Sequence, residues 1–495
     1  MSQSAALGFF SSLGRHPKGF WFIFWGELAE RCSYYGMRAI LALYMTDLLG
    51  FTKGEAGMAM SIFIGACYYL PLIGGWVADN YLGKYWTIVI FSVPYILGHF
   101  VLGIESVPFM VSALALLAMG TGVTKPNISS LMGMTYDQQR PGDEALRSDA
   151  FGIFYMAINI GATISQFAMP IIRTNYSYKI AFIFPAILMI VAFLFFAAGK
   201  KLYAVDKVMK SSELNAEQLA NRNLIVVLIV LVGAIFAAAT FAGIRYPDYS
   251  KYVGIVGFIA FVFAMVKVLG RLGGIFSLVT FFWAIFDQSA STWIFFAQKD
   301  FNLDVLGMHI EPDSIQAVNG FLIIILVPTF AVIWRVLANR GKMTRATDRM
   351  LLGFVLTAST MLIMGLAGFA AAGGVKVNIL WQVVAYVVLT CAEVCISVVG
   401  LELSFAAAAP HMKSVVTACW LLCVAIANLC INAPITQLYD KMPPGPYFMM
   451  LTGMMVPAVI IFAIIAKPFN TELDAKKAKG QSAQSAPPAA AVPAS

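Results

Sequence analysis

Charge is scarce in this chain. Asp, Glu, Lys and Arg together make up 12% of its 495 residues, about half the share usual in a soluble globular protein. Histidine occurs four times, at 16, 99, 309 and 411, and no His/Asp cluster or nucleophile–base pair falls within the apolar runs. Neither a metal centre nor a membrane enzyme is therefore indicated. The seven cysteines (32, 67, 391, 395, 419, 423 and 430) all lie inside apolar runs, which removes an extracellular disulfide framework. The helically spaced pairs Cys391/Cys395 and Cys419/Cys423 read as small apolar packing residues. Short alternating segments are missing too, which excludes a β-barrel. No small-residue cleavage site interrupts the first apolar run, so no cleavable leader is expected.

What the chain has instead is apolar length. Hydrophobic residues make up 60% and the mean hydropathy is +0.80, the signature of an all-α polytopic membrane protein. Fourteen runs are long enough to span: about 20–49, 55–79, 85–104, 108–135, 149–172, 178–199, 223–244, 250–269, 275–297, 315–337, 350–372, 378–409, 413–440 and 446–466. An even number puts both termini on one side. With that side cytoplasmic, the inner segments hold 22 of the 33 basic residues, as the positive-inside bias requires. The net charge of +8 then follows from loop orientation on an anionic leaflet, and no nucleic-acid partner is needed. Residues 468–495, Lys-rich and then rich in Ala, Ser and Pro, read as a disordered cytoplasmic tail.

Against this background four charges stand out in the first run. At about 100° per residue, Glu27, Glu30, Arg31, Tyr34 and Arg38 share one helix face. Each ionised group near a bilayer centre costs at least ~2.5 kcal/mol, so this stripe must look into a bundle interior or a water-filled cavity. Other costly polar residues follow. Lys125 lies mid-span beside Pro126 and requires a partner, the nearest supply being the Glu27/Glu30 stripe. Tyr155 and Asn159 share a face in the fifth span; Trp283 and Asp287 share one in the ninth. The tenth span carries Asn319, the twelfth Glu393 with Ser397 on the same face and then Glu402, and the thirteenth Trp420. The second span ends in Gly74-Gly75 and a loop containing Asp79 and Gly83-Lys84, where glycines permit close helix contact and the aspartate can reach a helix end or a basic side chain.

Four motifs in this order carry a resemblance: Glu-x-x-Glu-Arg at 27–31 with Tyr34-Tyr35-Gly36, the Gly/Asp/Gly-Lys-Tyr loop at 75–85, Lys125-Pro126-Asn127, and Phe-Tyr-x-x-Ile-Asn-x-Gly at 154–161. The chain resembles the proton-dependent oligopeptide transporter family of the major facilitator superfamily. The resemblance implies a major facilitator fold of two six-helix bundles plus a two-helix insertion of the kind common in bacterial members. The expected layout is an N-terminal bundle at 1–200, a cytoplasmic linker and insertion at 201–274, a C-terminal bundle at 275–467, and the tail. The insertion, with Arg222, Arg245, Asp248 and Lys251 at its ends or turn, reads as structural.

By the same resemblance the protein imports di- and tripeptides with protons across a plasma membrane, the bacterial inner membrane, as a monomer without a cofactor. Glu27, Glu30 and Arg31 would couple the proton. Arg38 and Lys125 would receive the peptide carboxylate, and Glu393, near Ser397, its ammonium. Tyr35, Tyr155, Asn159 and Asn319 would bond the peptide backbone, while Trp283 and Trp420 line side-chain pockets. Two gates are expected, Arg38–Asp287 outside and Lys125–Glu393 inside. The chain departs from the family in several places: Cys32 stands where Phe is usual, Asn319-Gly320 where Asn-Pro is common, and Ser61 where animal members place a functional histidine. No histidine is expected deep in the cavity, so carboxylates carry the proton. The alternatives are the same fold carrying nitrate or another small anion or zwitterion, which Glu393 opposes where the solute is a simple anion, and, more remotely, a membrane enzyme or channel.

Overall fold

In lipid, every backbone N–H and C=O has to be bonded within its own segment, so long apolar runs become helices. The computed structural model describes residues 13–206, 208, 215–305, 307–342, 345–407 and 412–484. Among them, thirteen helices are long and apolar enough to cross a membrane: α2 (Lys53–Leu82), α3 (Lys84–Leu102), α4 (Val107–Gln139), α5 (Glu144–Asn175), α6 (Tyr178–Ala198), α7 (Ala216–Arg245), α8 (Pro247–Leu269), α9 (Arg271–Asp300), α10 (Ser314–Asn339), α11 (Ala346–Ala370), α12 (Leu380–Ser404), α13 (Val415–Asp440) and α14 (Pro444–Asp474). The fourteenth span is α1 (Lys18–Leu43), the one loaded with charge. All fourteen fall on the runs read from the sequence. The strand content among the described residues is two two-residue pairings, Phe301–Asn302 with Val377–Asn378 in parallel and Asp304–Val305 with Met308–His309 antiparallel.

Two groups of helices form. In the first, α1 packs on α5 and α6, α2 on α4, and α3 on α4 and α6. In the second, α9 packs on α13 and α14, α10 on α12, and α11 on α12 and α14. They meet through α5 with α10 and α2 with α13. The inserted pair touches both: α7 lies on α2, where the Tyr69 hydroxyl donates to the Ile229 carbonyl (2.9 Å), and α8 lies on α9 and α13.

Local chemistry sets the ends. α2 starts at a reciprocal cap, with the Glu55 N–H bonded to Thr52 Oγ1 (3.2 Å) and the Thr52 N–H to Glu55 Oε2 (2.9 Å). It ends where Gly83 takes a positive φ of 74°, and Asp79 pairs with Lys84 (2.7 Å) across the turn. One sequence expectation needs correction: the last helix does not stop near 467 but continues to Gln484. Asn470 accepts from Thr347 (2.9 Å), and Glu472 and Asp474 pair with Arg271 (3.2 Å) and Arg345 (3.0 Å), so its polar continuation is tied to neighbouring turns. Residues 485–495 lie outside the described ones.

The two glycines ending the second run differ sharply. A Cβ on Gly74 would sit 2.6 Å from the Val123 Cα, whereas one on Gly75 meets nothing within 4 Å. Gly74→Ala is therefore expected to cost about 1–3 kcal/mol and lower the melting temperature in detergent, while Gly75→Ala leaves it unchanged. Equal melting of the two variants would contradict this packing.

Candidate functional site

The stripe on α1 turns inward as its cost demands. Glu27, Glu30 and Arg31 are each at most 3% exposed, and Arg31 Nε lies 3.0 Å from Glu27 Oε1 and pairs with Glu30 as well. The Tyr95 hydroxyl of α3 donates to Glu30 Oε1 (2.8 Å). Two turns along the same face, Arg38 Nη2 donates to Asp287 Oδ1 of α9 (2.8 Å), joining the two helix groups. The other carboxylate oxygen accepts from Asn428 Nδ2 of α13 (2.7 Å).

Asn428 opens a buried amide chain. Asn432 Nδ2 donates to Asn428 Oδ1 (3.3 Å), Gln288 Nε2 to Asn432 Oδ1 (2.8 Å), and the hydroxyls of Thr292 (2.6 Å) and Tyr447 (3.0 Å) to Gln288 Oε1. Asn428 and Asn432 lie in a wide π-type turn, Ala427–Asn432, of the kind often found at functional sites.

Lys125 does not pair with the stripe as expected. Its ammonium sits 4.6 Å above the Tyr68 ring, an aromatic face substituting for a carboxylate. Among the described residues no ion pair joins it to Glu27, Glu30 or Glu393. Glu393 Oε2 accepts from Asn319 Nδ2 (2.9 Å), whose amide also reaches Thr390 Oγ1 (3.1 Å). Ser397 follows within the wide turn Val394–Val398. Tyr155 is 41% exposed, and the Asn159 amide folds back onto its own helix at the Tyr155 carbonyl (2.9 Å). Tyr35 packs edge-on against Tyr34. Trp283 packs against Phe282 and Phe286, its indole N–H buried with no hydrogen-bond partner among the described residues. Trp420 is stacked edge-on against Phe276 (5.2 Å).

Of the histidines, His99 is fully buried among the first six helices, its Nε2 2.8 Å from Ser33 Oγ. His411 lies outside the described residues. Ser61 donates to its own helix at the Gly57 carbonyl (2.8 Å). Glu402 is exposed.

The links between the helix groups gather at the face opposite the chain termini. Besides Arg38–Asp287, Arg173 of α5 pairs with Glu311 (2.9 Å) and Asp313 (3.1 Å) before α10, the Gly54 N–H donates to Asp440 (2.8 Å), and Gln298 donates to Asp47 (3.1 Å). Complete burial pushes the Asp313 carboxyl up to about 7, against the pull of Arg173. Sequence reading missed Tyr68, Tyr95, Arg173, Asp313, Asn428 and Asn432. Only the i, i+4 spacing of the two asparagines in an apolar run could have signalled one of these groups.

The comparisons agree with this architecture. A family model described as POT family matches residues 85–450. A di-/tripeptide transporter of Lactococcus lactis subsp. cremoris is 31% identical over 487 residues, 91% of this chain and 95% of the relative. An uncharacterized transporter, YclF, of Bacillus subtilis is 30% identical over 89% of this chain and 91% of its own. Among solved structures, a peptide transporter POT in complex with sulfate superposes with a TM-score of 0.77 at 29% identity, covering 92% of this chain and 95% of that one.

Asp287→Asn would leave Arg38 buried without its counter-charge, at an expected cost of about 3–5 kcal/mol. The double variant Arg38→Met/Asp287→Leu should recover most of that loss in detergent unfolding; no recovery would mean that the pair contributes through something other than charge. At Asp313 the folded protein favours the neutral form. Stability is therefore gained as pH falls through about 7 toward the ordinary carboxyl value, and lost as pH rises through about 7. Melting should be higher near about pH 6 than about pH 8, and Asp313→Asn should flatten that difference.

Proposed function

Because this chain belongs to the POT family, we propose that it is a proton-coupled symporter that imports di- and tripeptides by alternating access. The observation carrying this reading is the unequal state of two oppositely charged pairs that span the helix groups. Arg38 and Asp287 are joined at 2.8 Å, while Lys125 rests on Tyr68 and Glu393 on Asn319. A carrier that exposes one site alternately to two sides needs such a pair at each end, closed in turn.

In this scheme the face bearing the termini is cytoplasmic and open, and the opposite face is the closed outer gate. The layout is a bundle at 1–200, a linker and insertion at 201–274, and a bundle at 275–467, acting as a monomer in a bacterial inner membrane. Arg38 and Lys125 receive the peptide carboxylate and Glu393 the ammonium, with Ser397 beside it. Coulomb attraction at about 4 Å is ~4 kcal/mol at an effective dielectric near 20, enough to orient a dipeptide while leaving its side chains loosely held. Tyr35, Tyr155, Asn159 and Asn319 reach the peptide backbone, and Trp283 and Trp420 flank its side chains. Asn319 does this with its carbonyl, since its amide is engaged by Glu393 and Thr390.

Coupling follows from the sharing of Arg31. Glu27 and Glu30 both face this one guanidinium, whose two terminal nitrogens are buried with no hydrogen-bond partner among the described residues. Protonating either carboxylate removes half of the negative charge around Arg31 and frees it to attract a substrate carboxylate or let the helices shift. A lone small anion is disfavoured as cargo, because Glu393 would repel it.

Purified protein in liposomes should accumulate dialanine or trialanine above equilibrium under an inward proton gradient, and a proton ionophore should abolish this. Glu27→Gln/Glu30→Gln should still exchange peptide but no longer accumulate it. Uphill uptake by that double variant would overturn the coupling scheme.

A further inference from the structure

Behind the Glu27–Arg31 pair, α1, α3, α4 and α6 line a small cavity whose walls include Gly26, Glu27, Glu30, Ser92, Thr124 and Ala192. It leaves about 20 Å³ accessible to a water molecule, and one water needs roughly 10–15 Å³ on that measure together with two or more polar partners. The partners are there. Glu27 Oε1 faces Arg31, but Oε2 is buried with no hydrogen-bond partner among the described residues. The Ser92 hydroxyl donates to the Ile88 carbonyl (2.8 Å) and the Thr124 hydroxyl to the Gly120 carbonyl (2.9 Å). With both hydroxyl protons engaged, each oxygen can only accept. A water in this cavity has two protons to give: one suits Glu27 Oε2, the other the oxygen of Ser92 or Thr124. A carboxylate and two hydroxyls distinguish the cavity from the apolar voids that stay dry.

We infer that this cavity is an internal water site and that its water is the immediate proton-exchange partner of Glu27, held there by Ser92 and Thr124 as positioning residues. The inference rests on the proton-coupled reading above. A hydronium reaching the cavity gives its proton to Glu27 Oε2 and remains as water; on release, the carboxyl O–H breaks toward that water and the hydronium leaves. The charged and titratable groups around Glu27 are Glu30 and Arg31 on its own helix, Lys125 from α4 and, through Glu30, Tyr95 from α3. From α6 the lining is apolar, including Met189 and Phe196. No residue of α9–α14 lines the cavity, so Glu27 exchanges its proton within the first helix group while peptide occupies the space between the two groups. The routes of proton and substrate are thereby separated.

Two changes test this without altering a charge. Thr124→Val with Ser92→Ala removes both accepting oxygens and keeps the shape. Gly26→Ala adds a Cβ that meets nothing closer than the Ala192 carbonyl oxygen at 3.4 Å, an ordinary contact, and narrows the cavity. The protonated-carboxyl infrared band of Glu27, identified by its loss in Glu27→Gln, should shift in both variants. In liposomes, proton-driven uptake should fall about tenfold, the equivalent of one hydrogen bond to a charged group, while peptide counterflow, which requires no net proton transfer, is unchanged. An unshifted band with intact proton-driven uptake in both variants overturns the water site, as does an equal fall in both transport modes. A wild-type protein that moves no peptide overturns the transport reading alone, because the infrared band still decides the water site.

Discussion

A charge inside a membrane protein has to have a partner, and much of this structure is arranged around the partners taken by Arg31 and Arg38. Both sit on one face of α1. Arg31 finds its carboxylates on its own helix, so their geometry is fixed as soon as the helix forms. Arg38 finds Asp287 on a helix 249 residues away in sequence, which can be met only when the two helix groups come together. Breaking either pair by removing one member strands a buried charge, and that penalty of several kcal/mol exceeds what most surface contacts contribute. The same helix thus carries one pair made within the first helix group and another made only when the two groups meet.

Asp287 is held from two sides. Arg38 approaches one oxygen and Asn428 the other, and behind Asn428 the amides of Asn432 and Gln288 lead to Tyr447 on the last helix. A carboxylate with a donor on each oxygen cannot turn to a new partner without losing a bond. When Arg38 leaves, Asn428 keeps Asp287 oriented. This directional support is what charge pairing alone lacks, and it explains why uncharged amides accompany the ion pair in an otherwise apolar helix.

The sequence made the fold and the stripe legible for simple reasons. Apolar length marks helices in lipid, and a 100° repeat puts Glu27, Glu30, Arg31 and Arg38 on one face whatever surrounds them. The glycine at 74 and the aspartate at 79 were readable because close contact and a tight turn are local demands. Partners were harder to read. Tyr68 beneath Lys125, Tyr95 on Glu30 and Asn428 on Asp287 belong to helices whose rotation is decided by packing, and a tyrosine in a membrane helix is too ordinary to stand out. The expectation that Lys125 would turn to the nearest carboxylates failed because proximity in a list of charges ignores an aromatic face that can hold an ammonium. The tail was misread for a related reason: residues 468–474 are polar by composition but meet Thr347, Arg271 and Arg345 on neighbouring turns.

Movement between states needs only modest energies, because a shift from one dominant state to the other takes about 5.5 kcal/mol of differential binding. The links at the face opposite the termini differ in kind. Arg38–Asp287 is deeply buried and paired to an amide, while Arg173 divides itself between Glu311 and Asp313. A guanidinium shared by two carboxylates loses less when one of them takes a proton than a one-to-one pair does, so the second link can weaken in steps while the first is made or broken whole. The inserted helices add a constraint of their own. Because α7 rests on α2 and α13, α8 rests on α9 and α13, and the two pack on each other, any rocking of the two helix groups must slide at one of these contacts. The backbone carbonyl of Cys430 lies so close to Gly254 that a Cβ there would collide with it. α7 is held on α2 in a similar way, by the Tyr69 hydrogen bond and by the close approach of Tyr69 to Gly233 and of Met58 to Gly243.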